Sequence, residues 1–346
     1  MFKYNYVADL FNRLVKNADF PMQVELHPGP HCGGMHCRYC YGKGQKINDN
    51  MLSIKEYEAL LTDVEGKTNL IDISGIVTDP LSYPHFYELI DLIKTKRFHF
   101  GIHTKGYLLT PELCKLLNYG DTDGNFITLS IDSTDPKVYN RLHGISNKLG
   151  NVFDQTLKKI KLLKEEKEKR NSELRINIGY LLFQENSKRK DIENFIEIFS
   201  PIANVLRFSI PQVPNKAKPI GYLPNENIAS TLEMLREYEN EQIVVLKFDY
   251  SQHDHSFDTC WSQRFNITID NSGFVFPCPQ VASSPYNHLS YGNLREQTIW
   301  EIWNSKLRKE ILEMDIDKQM KCRVCDRKDE NINIELEKIL APHKYI

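Results

Sequence analysis

From residue 22 to about residue 210 the chain alternates short apolar runs with amphipathic stretches of helical period, and this alternation limits the available folds more than any other feature. Strands are expected at residues 22–26, 70–73, 98–103, 126–131, 174–183 and 205–210. Helices are expected at 53–61, 84–94, from Thr110 onward, at 152–169 and at 189–199. Ser53 with Glu56 makes a capping box, Pro84 falls in a first helical turn, and Thr110-Pro111 is a cap followed by proline. A helix between successive strands makes those strands parallel, with right-handed crossovers. Six such units are too few to close an eight-fold barrel. The expected class is α/β, a partial (β/α)6 TIM-like barrel whose chemistry sits at the C-terminal ends of its strands.

Cys32, Cys37 and Cys40 follow directly on the first strand, in the run His31-Cys-Gly-Gly-Met-His-Cys-Arg-Tyr-Cys-Tyr41. The spacing is C-x4-C-x2-C. Three thiolates so close can hold three corners of an iron–sulfur cube and leave the fourth iron open. Zinc is the rival, with His31 or His36 as a fourth ligand. A second group, Cys260, Cys278, Cys322 and Cys325, has enough thiolates to close another centre, of iron and sulfur or of zinc.

Eight cysteines would suit a disulfide scaffold in a secreted chain, but the first 25 residues hold Lys3, Asp9, Arg13, Lys16 and Asp19 and no uninterrupted apolar core. No stretch approaches the roughly 18 apolar residues of a membrane span. A cytoplasmic location follows as the expectation, and clustered cysteines there point to metal binding or catalysis. A net charge of −2 gives no global case for nucleic acid or an anionic membrane as partner.

Past residue 242 the pattern changes. Residues 243–250 are β-like, and residues 265–276 read as a hairpin turning at Asn271-Ser-Gly273. A helix is expected at 298–314, carrying Trp300 and Trp303 as core anchors, before Cys322-Arg-Val-Cys325 and a short tail. So thin an apolar inventory suits a small module stapled by metal.

Several segments together resemble the radical S-adenosylmethionine (radical SAM) enzymes that carry a C-terminal Twitch or SPASM auxiliary-cluster module, over about residues 22–327. Tyr39 precedes the last front cysteine at the family's aromatic position. Ser74-Gly75 with Asp79-Pro80-Leu81 resembles the family's S-G-G-E-P-L segment, and Thr104-Lys-Gly-Tyr-Leu-Leu109 its T-N-G-x-L-L segment. Ser130-Ile-Asp132, followed by Tyr139-Asn-Arg-Leu-His-Gly144, resembles the segment that meets the cofactor's ribose. Gly273-x4-Cys278 and Gly292-Asn-Leu294 resemble the auxiliary module. There are departures. The front spacing has one residue more than C-x3-C-x2-C, in the Gly33-Gly34 stretch, where glycine can absorb it. The glutamate of S-G-G-E is missing, with Asp79 the nearest acid. Rear spacings of 17, 43 and two residues resemble the single-cluster Twitch pattern of aminocyclitol dehydrogenases.

The resemblance implies two 4Fe-4S clusters and S-adenosyl-L-methionine as cofactors. The cluster ligands would be Cys32, Cys37 and Cys40 in front and Cys260, Cys278, Cys322 and Cys325 behind. Ser74 and Gly75 would meet the methionine end, with Asp79 near its amino group, Thr104 on the adenosine side, and Ser130 and Asp132 on the ribose. It implies an N-terminal extension (1–21), a radical SAM partial barrel (22–242), an auxiliary module (243–328) and a C-terminal tail (329–346). The expected function is an oxidoreductase that reductively cleaves S-adenosylmethionine and takes a hydrogen atom from an unactivated C–H of a peptide. A flavodoxin- or ferredoxin-type protein would donate the electron. Alternatives are oxidation or epimerisation of a sugar, aminocyclitol or other small metabolite, and a zinc-stapled binding protein without catalysis. Cys114 reads as a buried helix residue and His253-Asp254-His255 as a polar loop; Lys105 and Arg141, after strand ends, read by default as surface charge, with contact to substrate or cofactor as the alternative.

Overall fold

The structure, a computed structural model, describes residues 20–40, 42–47, 50–146, 149–211, 221–246, 257, 259–314, 325 and 327–340. Seven parallel strands form the barrel wall: β1 (Gln23–Leu26), β2 (Leu70–Ile73), β3 (His99–Thr104), β4 (Phe126–Ser130), β5 (Arg175–Leu181), β6 (Val205–Ser209) and β7 (Ile243–Leu246). Sequence alternation gave six of these. The seventh, read only as β-like, pairs with β6 and extends the same sheet. Among the described residues the sheet does not close. A hairpin of β8 (Asn266–Ile269) and β9 (Phe274–Phe276) joins its other side, β8 running parallel to β1, and β10 (Gly292–Asn293) forms that edge.

Side chains alternate along each strand, and the alternation divides outside from inside. Val24, Leu26, Ile71, Ile73, Phe100, Ile102, Ile127 and Leu129 are fully buried. They belong to one continuous core with the apolar residues of α1 (Ile54–Val64), α2 (Phe86–Thr95) and α3 (Pro111–Leu117). The intervening positions, Gln23, Glu25, Asp72, His103, Thr128 and Asn177, are polar and line the barrel interior. A polar interior is a place to bind something, unlike the apolar side-chain layers that fill many barrels.

The expected caps form where their signals stood. Ser53 and Glu56 close a reciprocal capping box on α1, and the Thr110 hydroxyl accepts from Leu113 N. Pro84 instead precedes α2, whose N-cap is His85. Helix α4 (Pro136–Leu142) was not expected, although Asp135-Pro136 is a cap-and-proline start; the Asp135 carboxylate accepts from Lys137 N and Val138 N. Beyond it come α5 (Val152–Lys169), α6 (Arg189–Phe199) and α7 (Asn225–Arg236). The single helix expected at 298–314 is two, α8 (Ile299–Trp303) and α9 (Lys306–Leu312), because Ser305 leaves helical geometry and caps the second. Residues 329–340, expected as tail, belong to α10 (Arg327–Leu340), where Ile332 and Leu336 pack with Met22 and Phe265. Cys114 is buried as expected, and Trp303 is a core residue. No helix among the described residues is long and apolar enough to cross a membrane.

Candidate functional site

The loop after β1 carries the front cysteines across the C-terminal end of the barrel. Its backbone is pinned on two sides. Asp79 N donates to His31 O at 2.9 Å, while His36 N donates to His143 O at 2.8 Å and Arg38 N to Leu142 O at 3.0 Å, at the C-terminal end of α4. Gly33 and Gly34 have φ of 62° and 88°, so the stretch holding the extra residue is built from the left-handed backbone that glycine adopts freely. Cys32, Cys37 and Cys40 all line one cavity of ≈ 370 Å³, and the Sγ atoms of Cys32 and Cys40 donate to Val77 O and Ile76 O. Burial raises the pKa of the Cys32 thiol, and Asp79, Cys37 and Cys40 raise it further. Burial likewise raises that of Cys37. With the Cys32 and Cys37 thiols both pushed up by burial, the gathered cysteines suit a cationic centre that would stabilise thiolates.

Behind the loop lies a buried polar network. The Tyr39 hydroxyl donates to Asp132 Oδ2 and accepts from Lys105 Nζ at 2.7 Å. Lys105 Nζ stands 3.6 Å from Asp132 and 5.0 Å from the centre of the Tyr39 ring. His143 Nε2 donates to Ile131 O at 3.1 Å; a carbonyl can only accept, so Nδ1, 3.5 Å from Cys37 Sγ, is the bare nitrogen. Burial and the Lys105 charge push the His143 pKa down to about 3. Burial would lower the pKa of Lys105, but Cys37 and Asp132 raise it well above the usual lysine range. Lys105, expected at the surface, is therefore an internal cation beside the front cysteines. Arg141 does lie near the surface, paired with Glu185 at 2.6 Å.

The expected cofactor contacts divide. Gly75, Asp79, Thr104 and Ser130 line the cavity with the cysteines. Asp79 is committed internally: it accepts from the Thr104 hydroxyl at 2.7 and 2.9 Å, from Lys105 N at 2.8 Å and from Leu81 N at 3.0 Å. Ser74 lines the neighbouring interior chamber and donates to Glu25 Oε1 at 2.5 Å. Asp132 lines neither cavity. It is fully buried at φ 60°, and besides Tyr39 its carboxylate accepts from Leu181 N at 2.8 Å.

The interior chamber, ≈ 1010 Å³, shares Gly75, Ile76, His103, Ser130 and Arg207 with the cysteine cavity, so the two adjoin along one wall. Both volumes lie in or near the range of small-molecule sites. Sequence reading had not singled out Arg207, His103, Asp72 or Glu25, and it met His143 only within the run Tyr139-Asn-Arg-Leu-His-Gly144. The available signal was polar residues at every second strand position, Glu25 and His27, Asp72 and Ser74, Thr128 and Ser130.

At the rear, Cys260, Cys278 and Cys325 line a third, small cavity of ≈ 20 Å³. Cys322 lies outside the described residues, as do His253, Asp254 and His255. Helix α10 braces this site: Asn333 Oδ1 accepts from Ser262 N at 2.9 Å, Asn333 Nδ2 is 3.6 Å from Cys260 Sγ, and Glu337 accepts from Thr259 N at 3.3 Å. Burial raises the pKa of the Cys260 thiol.

Comparison with known proteins agrees with this geometry. Residues 26–197 match the radical SAM superfamily, and residues 260–326 match SPASM, an iron–sulfur cluster-binding domain. The chain is 21% identical over 284 residues to a tungsten-containing aldehyde ferredoxin oxidoreductase cofactor-modifying protein of Pyrococcus furiosus, covering 79% of this chain and 78% of that one. It is 23% identical to a probable GTP 3′,8-cyclase of Methanocaldococcus jannaschii, covering 81% and 87%. Among solved structures it is similar to Streptococcus suis SuiB bound to precursor peptide SuiA, at TM-score 0.65 and 15% identity over 89% of this chain and 70% of that one. It is also similar to anSMEcpe with bound AdoMet and Cp18Cys peptide, at TM-score 0.57 and 17% identity over 85% and 83%. With three thiols at the barrel mouth and three more in the hairpin module, the chain belongs to the radical SAM superfamily and carries a C-terminal SPASM-type iron–sulfur domain.

Proposed function

We propose that the protein is an enzyme that cleaves S-adenosylmethionine at a front 4Fe-4S cluster and takes a hydrogen atom from an unactivated C–H of a peptide. The supporting observation is the adjacency of the cysteine cavity, large enough for a cofactor, and a larger polar chamber inside the barrel. Bound to Cys32, Cys37 and Cys40, a reduced cluster with S-adenosylmethionine supplies a carbon radical, chemistry that side chains cannot provide. The chain's own part is placement, and a reactant held beside its target gains most of its rate advantage that way.

Gly75 and Ser130 line both cavities, and in this reading Gly75 would meet the methionine end and Ser130 the ribose. Thr104 is fixed by Asp79 and shapes the adenosine side. Asp132 acts from behind, holding Tyr39 and the Leu181 backbone. Lys105 offsets negative charge from the front thiolates. Cys260, Cys278, Cys322 and Cys325 would hold a second 4Fe-4S cluster, for electron transfer or as a staple. Two proteins of similar fold are seen with peptides bound, which favours a peptide substrate.

The test is an anaerobic assay of the reconstituted protein with S-adenosylmethionine and a one-electron reductant. Formation of 5′-deoxyadenosine is the expected result. A colourless, zinc-bearing protein that forms none would refute the reading.

A further inference from the structure

Two departures from the radical SAM segments meet behind the front cysteines. Where the family's T-N-G-x-L-L segment has an uncharged asparagine, this chain has Lys105. Where S-G-G-E-P-L has its glutamate, the nearest acid is Asp79. The structure joins the two. Asp79 accepts from Lys105 N at 2.8 Å and from the Thr104 hydroxyl, whose oxygen accepts in turn from Gly106 N at 3.0 Å. The turn after β3 is thereby fixed, and with it the point from which the Lys105 side chain leaves the backbone.

Lys105 lines the cavity together with Cys32, Cys37 and Cys40, and its side chain is 19% exposed. Its ammonium donates at 2.7 Å to the hydroxyl of Tyr39, which lies between Cys37 and Cys40 in the loop. Asp132 Oδ2, 3.6 Å away, is the carboxylate that faces it. Burial works against a charge on Lys105, and Cys37 and Asp132 outweigh it. His143, whose Nδ1 is 3.5 Å from Cys37 Sγ, is kept neutral by burial and by Lys105 itself. Arg207, the other basic side chain of Lys or Arg type on the cavity wall, also lines the interior chamber. Lys105 is therefore the cation committed to the cysteine side. A fixed charge acts on a neighbouring redox centre through the low-dielectric interior, and net charge is one of the terms that set an iron–sulfur potential. One-electron reduction adds negative charge to a site that already carries three thiolates. A cation held there favours the reduced state, and an asparagine would not.

We propose that Lys105 is a built-in counterion of the front cluster and raises its reduction potential, easing the one-electron reduction that precedes cleavage of S-adenosylmethionine. This rests on the front cysteines holding that cluster, as proposed above. The electron comes from an external one-electron donor. Lys105 acts through its charge alone, and no proton or bond is exchanged at it.

The test is a redox titration of the full, cluster-loaded chain without S-adenosylmethionine, followed by electron paramagnetic resonance. The front signal is the one absent when Cys32, Cys37 and Cys40 are all changed to alanine. Lys105→Met, which keeps length and removes charge, should lower the front potential by about 59 mV or more, a tenfold change in the one-electron equilibrium. Lys105→Arg, which keeps the charge, should hold the wild-type potential. The rear potential should stay fixed in every variant, which a general loosening of the fold would not allow. Lys105→Gln, which keeps a donor for Tyr39, gives the same reading if Lys105→Met fails to fold. An unchanged front potential in a folded, uncharged variant overturns the proposal. So does an equal shift at both clusters. Weaker calorimetric binding of S-adenosylmethionine with the potential unchanged also overturns it, and makes Lys105 a ligand of the cofactor instead. A wild-type protein without front iron refutes the proposed function and this inference together; a front cluster indifferent to the Lys105 charge refutes this inference alone.

Discussion

The front and rear cysteines both lie in loops, but the molecule supports them differently. The front three fall within nine residues, and the barrel pins their loop through His31, His36 and Arg38 to segments that fold for their own reasons. The three described rear cysteines come from separate places, Cys260 before β8, Cys278 after β9 and Cys325 before α10. They converge because α10 packs on the start of the module through Ile332, Leu336, Asn333 and Glu337. The front site is thus a local loop on a stable wall, and the rear site a junction of distant segments. Among the described residues α10 rests on a separate small cluster of Met22, Phe265, Ile332 and Leu336, while Cys325 joins the main core and Cys260 and Cys278 pack against it. Damage to the front should remove chemistry and spare the fold. Damage to the rear should loosen the fold around the metal.

Gly144→Ala tests the first half and should have the largest effect on chemistry. A Cβ at Gly144, where φ is 59°, would lie 2.1 Å from His36 O, in the backbone of the cysteine loop. The loop must move off α4. The expected outcome is loss of front-cluster iron and of S-adenosylmethionine cleavage, read by iron analysis and product assay, with rear iron retained. Unchanged cleavage would break the claim that α4 positions the loop.

Asp132→Ala should follow. Asp132 is fully buried and accepts from Tyr39 and Leu181 N, and its removal leaves those buried donors unpaired, at a cost of about 1–3 kcal/mol each. Denaturant titration reads it, and Asp132→Asn should recover part of the loss by keeping an acceptor for Leu181 N. If Asp132 instead held the ribose, calorimetry would show cofactor affinity falling with stability intact.

Leu336→Ala probes the rear. Leu336 is fully buried, and truncation of such a residue costs about 2–5 kcal/mol. The loss should appear as faster hydrogen exchange in α10 and β8 and lower rear iron, with front iron and cleavage retained. Equal loosening of β3 and β4 would show that the two regions are not separable.

The contrast also explains what was legible in the sequence. The barrel strands were readable because each is a short apolar run closed by turn residues, and residues 70–73, 152–169 and 189–199 form the expected elements to the residue. The front cysteines were readable because ligand spacing is a local signal. Helix α10 was not, since its apolar face touches Met22 and Phe265, a contact with no trace in nearby sequence. Lys105 was legible as a residue in reach of the site but its pairing was not: a lysine after a strand end is normally solvated, and Tyr39 and Asp132, which hold it here, come from two other loops. The split between α8 and α9 was overlooked because Trp300 and Trp303 continue the helical period while Ser305, a strong cap, interrupts it. The polar chamber was written at alternate positions of β1, β2, β4 and β5, but its meaning depends on which strand face points inward.

The most direct test of the two-site account is electron paramagnetic resonance of the reduced protein with and without S-adenosylmethionine, on wild type and on the variant with Cys32, Cys37 and Cys40 all changed to alanine. Wild type should hold about eight irons and the variant about four, the content of one 4Fe-4S cluster. S-adenosylmethionine should alter the wild-type spectrum and leave that of the variant unchanged. A variant whose spectrum still responds to S-adenosylmethionine, or which still cleaves it, would contradict the assignment of the open iron to the front loop.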